Sequence, residues 1–360
     1  MMQSLWVKKD ELAQTRWQDS DVPELAEGQV LLAVEKYALT ANNITYAVVG
    51  DGFGYWNFFP TGDDQWGIVP VWGFARVVGS EHEDIAVGER VYGYLPMASH
   101  LLVTPAHVQD GGFVDGAAHR QGLAIIYNQY HRLGTGEGPH EAERAIFQPL
   151  FTTSFLIEHF MRAHDWFGAE GLVMTSASSK TSLGLAMVAK NLSPAIRRLG
   201  LTSAGNRAFV EQTGLYDEVL AYDDLASADA GQPTVSVDFA GNGQLLADIH
   251  AHWGDNLKFS SLVGATHVEQ RRGDQDLPGP KPELFFAPTA AESLMKEIGP
   301  AQFRARVDEQ FAAFVKGASA YLTIEDIAGQ DELQSAFLAM LANGIAPSRG
   351  LICHFDQSQA

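Results

Sequence analysis

The chain has 360 residues, with 24 Lys+Arg against 44 Asp+Glu and a formal charge of −20. Apolar residues make up 46% and charged residues 19%, a globular composition rather than that of a disordered chain. The acidic balance argues against nucleic-acid phosphates and anionic membrane surfaces as partners, because both call for a basic face.

At roughly 100–200 residues per domain, two domains are expected. The single cysteine, Cys353, excludes a disulfide within the chain and any cysteine-rich zinc site. The N-terminal stretch meets charge within a few residues and has no apolar core, so it does not read as a signal peptide. The most apolar runs, 145–157 and 333–347, fall short of the ~18–20 apolar residues of a spanning helix. A soluble protein of a reducing compartment, the cytoplasm, is expected.

In chain order, apolar runs at 28–37, 68–79, 85–94 and 101–105 predict an opening of short strands. Between the first two lies 48–64, where Tyr55, Trp56, Phe58 and Phe59 stand among four glycines. It reads either as a loop tucked under the core or as the wall of a pocket for a flat, apolar substrate. Around 108–138 the chain turns polar and Gly-rich, with an aromatic island at 127–132, and 141–164 then reads as helical. From about 170, strands at 171–175, 196–203, 218–222, 233–238, 257–264 and 283–287 alternate with helices at 182–191, 206–213 and 244–253. That alternation predicts an α/β fold with a doubly wound parallel sheet and helices on both faces. Two helical stretches follow Pro300 and end in a strand at 350–355, expected to return to the first domain.

The most informative segment is VMTSASSKTSLGLAMVAK at 173–190. A buried strand runs through small residues directly into a helix, which gathers free N–H groups and the positive end of the helix dipole at one spot. Such a spot suits a pyrophosphate. Ala177, Ser179 and Ser182 occupy the places of the Gly-x-Gly-x-x-Gly fingerprint, and a bland strand-to-helix turn is the competing reading. Lys180 and the hydroxyls of Ser178, Ser179 and Thr181 add phosphate donors, and Ser176 opens the same cofactor-binding loop. A P-loop is rejected, because the glycines of Gly-x-x-x-x-Gly-Lys-[Ser/Thr] are absent.

The order of features resembles the zinc-independent medium-chain dehydrogenase/reductases, of the quinone oxidoreductase and enoyl reductase kind, over nearly the whole chain. EGQVLLAV at 27–34 is similar to that family's opening strands, and ALTANN at 38–43 sits at its Asn-x-x-Asp loop, with Asn43 where Asp is frequent. VGERVYG at 87–93 resembles its Val-Gly-Asp-Arg-Val-x-Gly turn, SASSKTSLGLA at 176–186 its cofactor loop, and VDFAG at 237–241 its Val-x-Asp-x-Val-Gly strand end. SASSKT and VWGFA at 71–75 resemble a branch known only as a domain of unknown function. Trp72-Gly73-Phe74 stands where zinc-dependent members have Gly-His-Glu.

The resemblance implies a GroES-like catalytic domain over 1–148 and 301–360 around a Rossmann domain over 149–300. No zinc is expected: the 12 histidines form no His-x₃-His pair, and one cysteine cannot build the four-cysteine lobe of zinc-dependent relatives. A homodimer is expected by analogy with relatives.

The turn after the second Rossmann strand lacks an acid for the ribose 2′-OH but holds Ser203, Asn206 and Arg207, with Tyr222 after the third strand. NADP(H) is therefore read over NAD(H), the competing reading of Arg207 being an exposed cation at a helix start. The nicotinamide end is assigned to Phe239, Ala240, Gly241, Val263, Gly264, Phe286 and Ala287, at the C-terminal ends of the last strands. Thr153 resembles a family position at the start of a helix facing the cofactor.

Without zinc, a developing oxyanion needs hydrogen-bond donors. The candidates are Tyr46, Asn42, Asn43 and Tyr55, with Tyr127, Asn128 and Tyr130 as a second group. A small-molecule substrate is implied, a quinone or conjugated enone, reduced by NADPH. The competing function is a catalytically silent NADP(H)-binding module or sensor of the same fold.

Overall fold

The computed structural model describes residues 1–263 and 277–355. The chain divides into two compact units, Met1–Ile146 with Thr323–Ala360, and Phe147–Leu322.

The first unit is built on mostly antiparallel sheet, with Thr323–Ala328 and Arg349–His354 pairing parallel. Met2–Lys8 and Glu11–Ser20 form a hairpin, with Trp66–Ile68 pairing on the far side of Met2–Lys8. The hairpin escapes the sequence reading because Glu11–Ser20 is polar and mostly exposed, so it lacks the apolar alternation of a half-buried strand. A larger sheet runs in the order Thr323–Ala328, Arg349–His354, Val30–Leu39, Pro70–Ser80, Arg90–Pro96, Gln129–Gly134, Gly112–Asp115, Pro105–Gln109. His100–Val103 also pairs with Val30–Leu39. The strand expected at 85–94 begins only at Arg90, because Gly88 at φ +95° and the Glu89 carboxylate, accepting from Ala86 N at 2.8 Å, close a turn before it.

At Gly73 the neighbouring strand comes so close that a Cβ would lie 2.2 Å from the Lys36 carbonyl oxygen. Only glycine fits there. The helix Ala41–Val48 was not expected either: its Thr and Asn residues are weak helix formers, and its start depends on a capping box.

The second unit carries six parallel strands in the order Glu218–Ala221, Arg197–Thr202, Gly171–Met174, Thr234–Asp238, Leu257–Leu262, Glu283–Leu284. This is the doubly wound sheet expected from the alternation, with the strand order reversing between Gly171–Met174 and Thr234–Asp238. The last strand is shorter than 283–287, and Ala287 already opens the helix Ala287–Ile298.

The expected boundary at 301 moves to 323. Pro300–Ala318 belongs to the second unit because Phe314 packs on Phe147 at 4.8 Å and on Phe151 at 5.3 Å. The chain then adds a strand, Thr323–Ala328, before the helix Gln330–Leu341 and the strand Arg349–His354. Among the described residues no helix is long and apolar enough to cross a membrane.

Candidate functional site

In the second unit, the loop after Gly171–Met174 leads into the helix Lys180–Leu192 at the reversal of strand order, where open α/β sheets bind ligands. Ser179 caps that helix, its hydroxyl accepting from Ser182 N at 3.2 Å. Thr175 Oγ1 donates to Asp238 at 2.7 Å and accepts from the backbone amides of Phe239 and Ala240 at 2.8 and 3.0 Å. The Asp238 carboxylate also accepts from Ala240 N and Gly241 N, at 3.1 and 3.2 Å. Thr175 and Asp238 thus join the two loops at the switch point. Of this pair, only the Asp had a visible signal, within VDFAG.

The structure explains how the loop closes without the fingerprint glycines. Ala177 is fully buried and faces Gly200, where a Cβ would come within 2.9 Å of the Ala177 side chain. The glycine that makes room for this packing is Gly200, on the neighbouring strand. Ser176 takes the left-handed turn at φ +48°, which costs a non-glycine residue of order 1–3 kcal/mol.

Ser182 is buried, and its hydroxyl bonds the Tyr216 hydroxyl at 2.8 Å, while that hydroxyl donates to the Ala177 carbonyl at 2.8 Å. Ala177 and Ser182 are therefore packed inside the loop. Tyr216 was missed by the sequence reading, since nothing local marks it. Ser178 is nearly buried, accepting from Asn206 Nδ2 at 3.2 Å. Lys180 and Thr181 open the helix, where first-turn N–H groups lack intrahelical partners. Burial lowers the Lys180 ammonium from its ordinary value to about 8.

Ser203 is exposed at the turn after Arg197–Thr202, and its carbonyl accepts from Asn206 N at 3.0 Å. Arg207 is engaged by two carboxylates, Glu211 at 2.9 Å and Asp224 at 3.4 Å. Tyr222 hydrogen-bonds Ser176, and burial raises its phenol above the usual value. Phe239, Ala240 and Gly241 follow Asp238, with Gly241 at φ +66°. Val263 follows Leu257–Leu262, its amide donating to the Asp238 carbonyl at 2.9 Å. Gly264 lies outside the described residues. Phe286 is 40% exposed and precedes Ala287. Thr153, expected at a helix start, sits inside Glu141–Ala163, beyond Pro149. Pro149 lacks the N–H of a regular helical bond, yet the helix runs through it.

In the first unit, Tyr46, Tyr55, Tyr127, Tyr94, Trp72 and Phe58 converge. Ring centroids of Tyr46 and Tyr55 lie 4.6 Å apart, Tyr94 and Tyr127 4.7 Å, and Phe58 and Tyr94 5.2 Å. Trp72 Nε1 donates to Tyr46 Oη at 3.2 Å, and the Tyr55 and Tyr127 hydroxyls bond each other at 3.2 Å. The Asn42 and Tyr127 side chains also act on the Tyr46 hydroxyl, favouring its ionised form against burial. Burial raises the Tyr46, Tyr55, Tyr94 and Tyr127 phenols above the usual value, so all four stay protonated and able to donate. Tyr94 Oη is buried with no partner among the described residues, the kind of orphan that a bound oxygen satisfies.

Asn43 does not join this group. Its Oδ1 accepts from Thr40 N at 2.7 Å and its Nδ2 donates to the Pro70 carbonyl at 2.9 Å, so it caps the helix Ala41–Val48 and ties it to a strand. Tyr130 donates to the Tyr94 carbonyl at 2.6 Å, and Asn128 pairs with the buried Arg120, so both act as supports. Arg120 lies 3.0 Å from Asp115 and stacks over Phe59 at 4.9 Å, beneath the cluster. Trp72, Tyr94 and Arg120 were not singled out for this role by the sequence, since only the sheet brings them to the loop 48–64. Among the described residues, no group of three or more His, Cys, Asp or Glu has metal-binding geometry.

No curated protein sequence matches this chain. Solved structures do. CurA from Vibrio vulnificus in complex with NADPH is 14% identical, with a TM-score of 0.61, covering 99% of both chains. A putative NADPH:quinone reductase from Mesorhizobium loti is 14% identical, with a TM-score of 0.62 and 98% coverage of each. The CurK enoyl reductase is 12% identical, with a TM-score of 0.59, covering 98% of this chain and 99% of that one. At these identities the likeness establishes the fold alone, a Rossmann doubly wound sheet with a GroES-like β-rich part. Residues 37–346 match the family described as Protein of unknown function (DUF2855), and the chain belongs to that family.

Proposed function

We propose that the chain is a zinc-free, NADP(H)-dependent oxidoreductase whose acceptor is a quinone, enone or similar conjugated carbonyl. One observation carries this reading: a single chain holds both an anion-accepting strand–loop–helix and a buried cluster of protonated phenols. Structures of the same fold crystallised with NADPH, and a putative quinone reductase among them, support the cofactor and the acceptor class.

The residues fit a dinucleotide. The N-terminus of Lys180–Leu192, Ser178, Lys180 and Thr181 would receive the pyrophosphate, while Ser203, Asn206 and Arg207 would face the 2′-phosphate. Phe239, Ala240, Gly241 and Val263 stand at the strand ends assigned to the nicotinamide. Bound NADPH would supply hydride. The chain's own part is to orient the acceptor among aromatic rings and to donate hydrogen bonds to the oxygen that gains charge. Gly73 supports a zinc-free site, because the crowding there leaves no room for a ligating side chain.

The alternative, a silent cofactor-binding module, draws support from the replaced fingerprint glycines. The test is calorimetric binding of NADPH and NADH, followed by NADPH consumption with a panel of quinones and enones. Tighter binding of NADPH and measurable turnover are expected. Binding without turnover would favour the silent module, and no binding at millimolar concentration would overturn both. Arg207→Ala should weaken NADPH about tenfold and leave NADH unchanged, as loss of a charged phosphate contact does. Equal NADPH affinity would remove Arg207 from the site.

A further inference from the structure

Two neighbouring strands of the second unit bring opposite charges to one spot. Arg197–Thr202 and Glu218–Ala221 pair in parallel, so the segments after them leave the sheet at the same end. After the first strand the chain reaches Arg207, which opens the helix Arg207–Thr213. After the second it forms the short helix Tyr222–Ser227, which carries Asp224. Leu225 is buried, and Ser227 Oγ donates to the Asp224 carbonyl at 2.7 Å, so the backbone of that short helix is held in place. The Asp224 side chain itself is 53% exposed.

Arg207 Nε donates to Glu211 at 2.9 Å, and Nη1 donates to Asp224 at 3.4 Å. One cation thus faces two carboxylates, and the group as a whole is negative. A guanidinium has five N–H donors and reads a phosphate through two of them in parallel. Here two of the five are already given to carboxylates. A phosphate approaching Arg207 meets like charge as well as occupied donors. The two carboxylates are not equivalent. Glu211 stands four residues along the same helix, a spacing that the helix itself brings together. Asp224 comes from a separate element, and its contact is the longer one. An exposed ion pair of this kind is weak, so a phosphate can displace it.

We infer that Asp224 is a specificity-determining residue, whose carboxylate competes with the ribose 2′-phosphate of NADPH for the Arg207 guanidinium. It holds the preference for NADPH over NADH below what Arg207 alone would give. This rests on the proposed reading that the 2′-phosphate faces Arg207, and it adds to that reading the group that sets how strongly the phosphate is selected. NADH has no 2′-phosphate, so the competition leaves its binding untouched.

The test is calorimetric titration of the full chain with NADPH and with NADH. Asp224→Asn keeps the size of the side chain and removes its charge. It should tighten NADPH about fivefold, the order of one like charge removed at contact distance in water, and leave NADH within about twofold. Asp223→Asn makes the same charge change one residue away and should alter the NADPH/NADH ratio far less. In an Arg207→Ala background, Asp224→Asn should give no gain for NADPH, because no guanidinium is left to compete for. Thermal melts check that the variants stay folded, and Asp224→Ser replaces Asp224→Asn should the latter unfold. An unmoved NADPH/NADH ratio in Asp224→Asn, an equal gain in Asp223→Asn, or a gain that survives Arg207→Ala would overturn the inference and leave the cofactor reading standing. Failure of the wild type to bind either cofactor at millimolar concentration would instead overturn the cofactor reading, and the inference with it.

Discussion

At the residue scale, Lys180 is the most consequential side chain of the cofactor loop. The sequence already placed it at a helix start among hydroxyls, but not its partial burial. Burial lowers its ammonium to about 8, so it is charged below that pH and neutral above it. If it binds the pyrophosphate, affinity for NADPH and NADH should fall together as pH rises through about 8. Lys180→Met should weaken both by about 10–100-fold near neutral pH, the worth of a hydrogen bond to a charged group at roughly 1.5–3 kcal/mol. The variant's affinity should also stay flat across that pH range, which calorimetry at several pH values would measure. Ala177 and Ser182, equally prominent in the sequence, turn inward. Their partners Gly200 and Tyr216 come from elsewhere in the chain, so no local pattern revealed which fingerprint positions face a ligand.

At the element scale, the helix Ala41–Val48 shows how a candidate catalytic residue becomes a structural one. Asn43 is 2% exposed and hydrogen-bonded to Thr40 and Pro70. Asn43→Ala would leave the Thr40 amide and the Pro70 carbonyl without these partners, and should lower stability by about 1–3 kcal/mol in urea unfolding. Cofactor affinity should be unchanged. The neighbouring Asn42 remains with Tyr46, one position away and on a different face. Adjacent residues on a helix do not face the same way. Sequence adjacency could not divide the pair; the helix does. The elements read correctly from sequence are those with strong apolar periodicity, such as Gly171–Met174 and Lys180–Leu192. Glu11–Ser20 and Ala41–Val48 lack that signal and owe their form to pairing and capping.

At the scale of the whole molecule, the first unit is organised around a buried cation. Arg90 is 0% exposed and donates to Glu35 at 2.6 Å, to Glu141 at 2.7 and 2.9 Å, and to the Gly136 carbonyl at 2.9 Å. Lys36 reaches Glu141 at 2.8 Å. Burial alone would raise the Glu141 carboxyl, but the bonds from Arg90 and Lys36 outweigh it and hold it at about 2. A carboxylate lowered in the folded state stabilises above its unfolded value of 4.5, and that contribution is lost as pH falls through about 2. It amounts to about 3 kcal/mol. Glu141→Gln should therefore be less stable near neutral pH by about that much, and its urea midpoint should fall less steeply on acidification.

The motif VGERVYG marked Arg90 without its partners, which lie 55 and 51 residues away. The same division holds throughout. The alternation of strands and helices, the strand–loop–helix at 173–190 and the lack of a cysteine-rich zinc site were determined by the sequence itself, because periodicity, turn residues and residue counts are local properties. Only the tertiary structure decided that Gly200 makes room for Ala177, that Asn43 is a cap, and that Trp72 meets Tyr46. Each of these depends on surfaces brought within a few ångströms by packing, and packing joins residues that the linear sequence keeps apart.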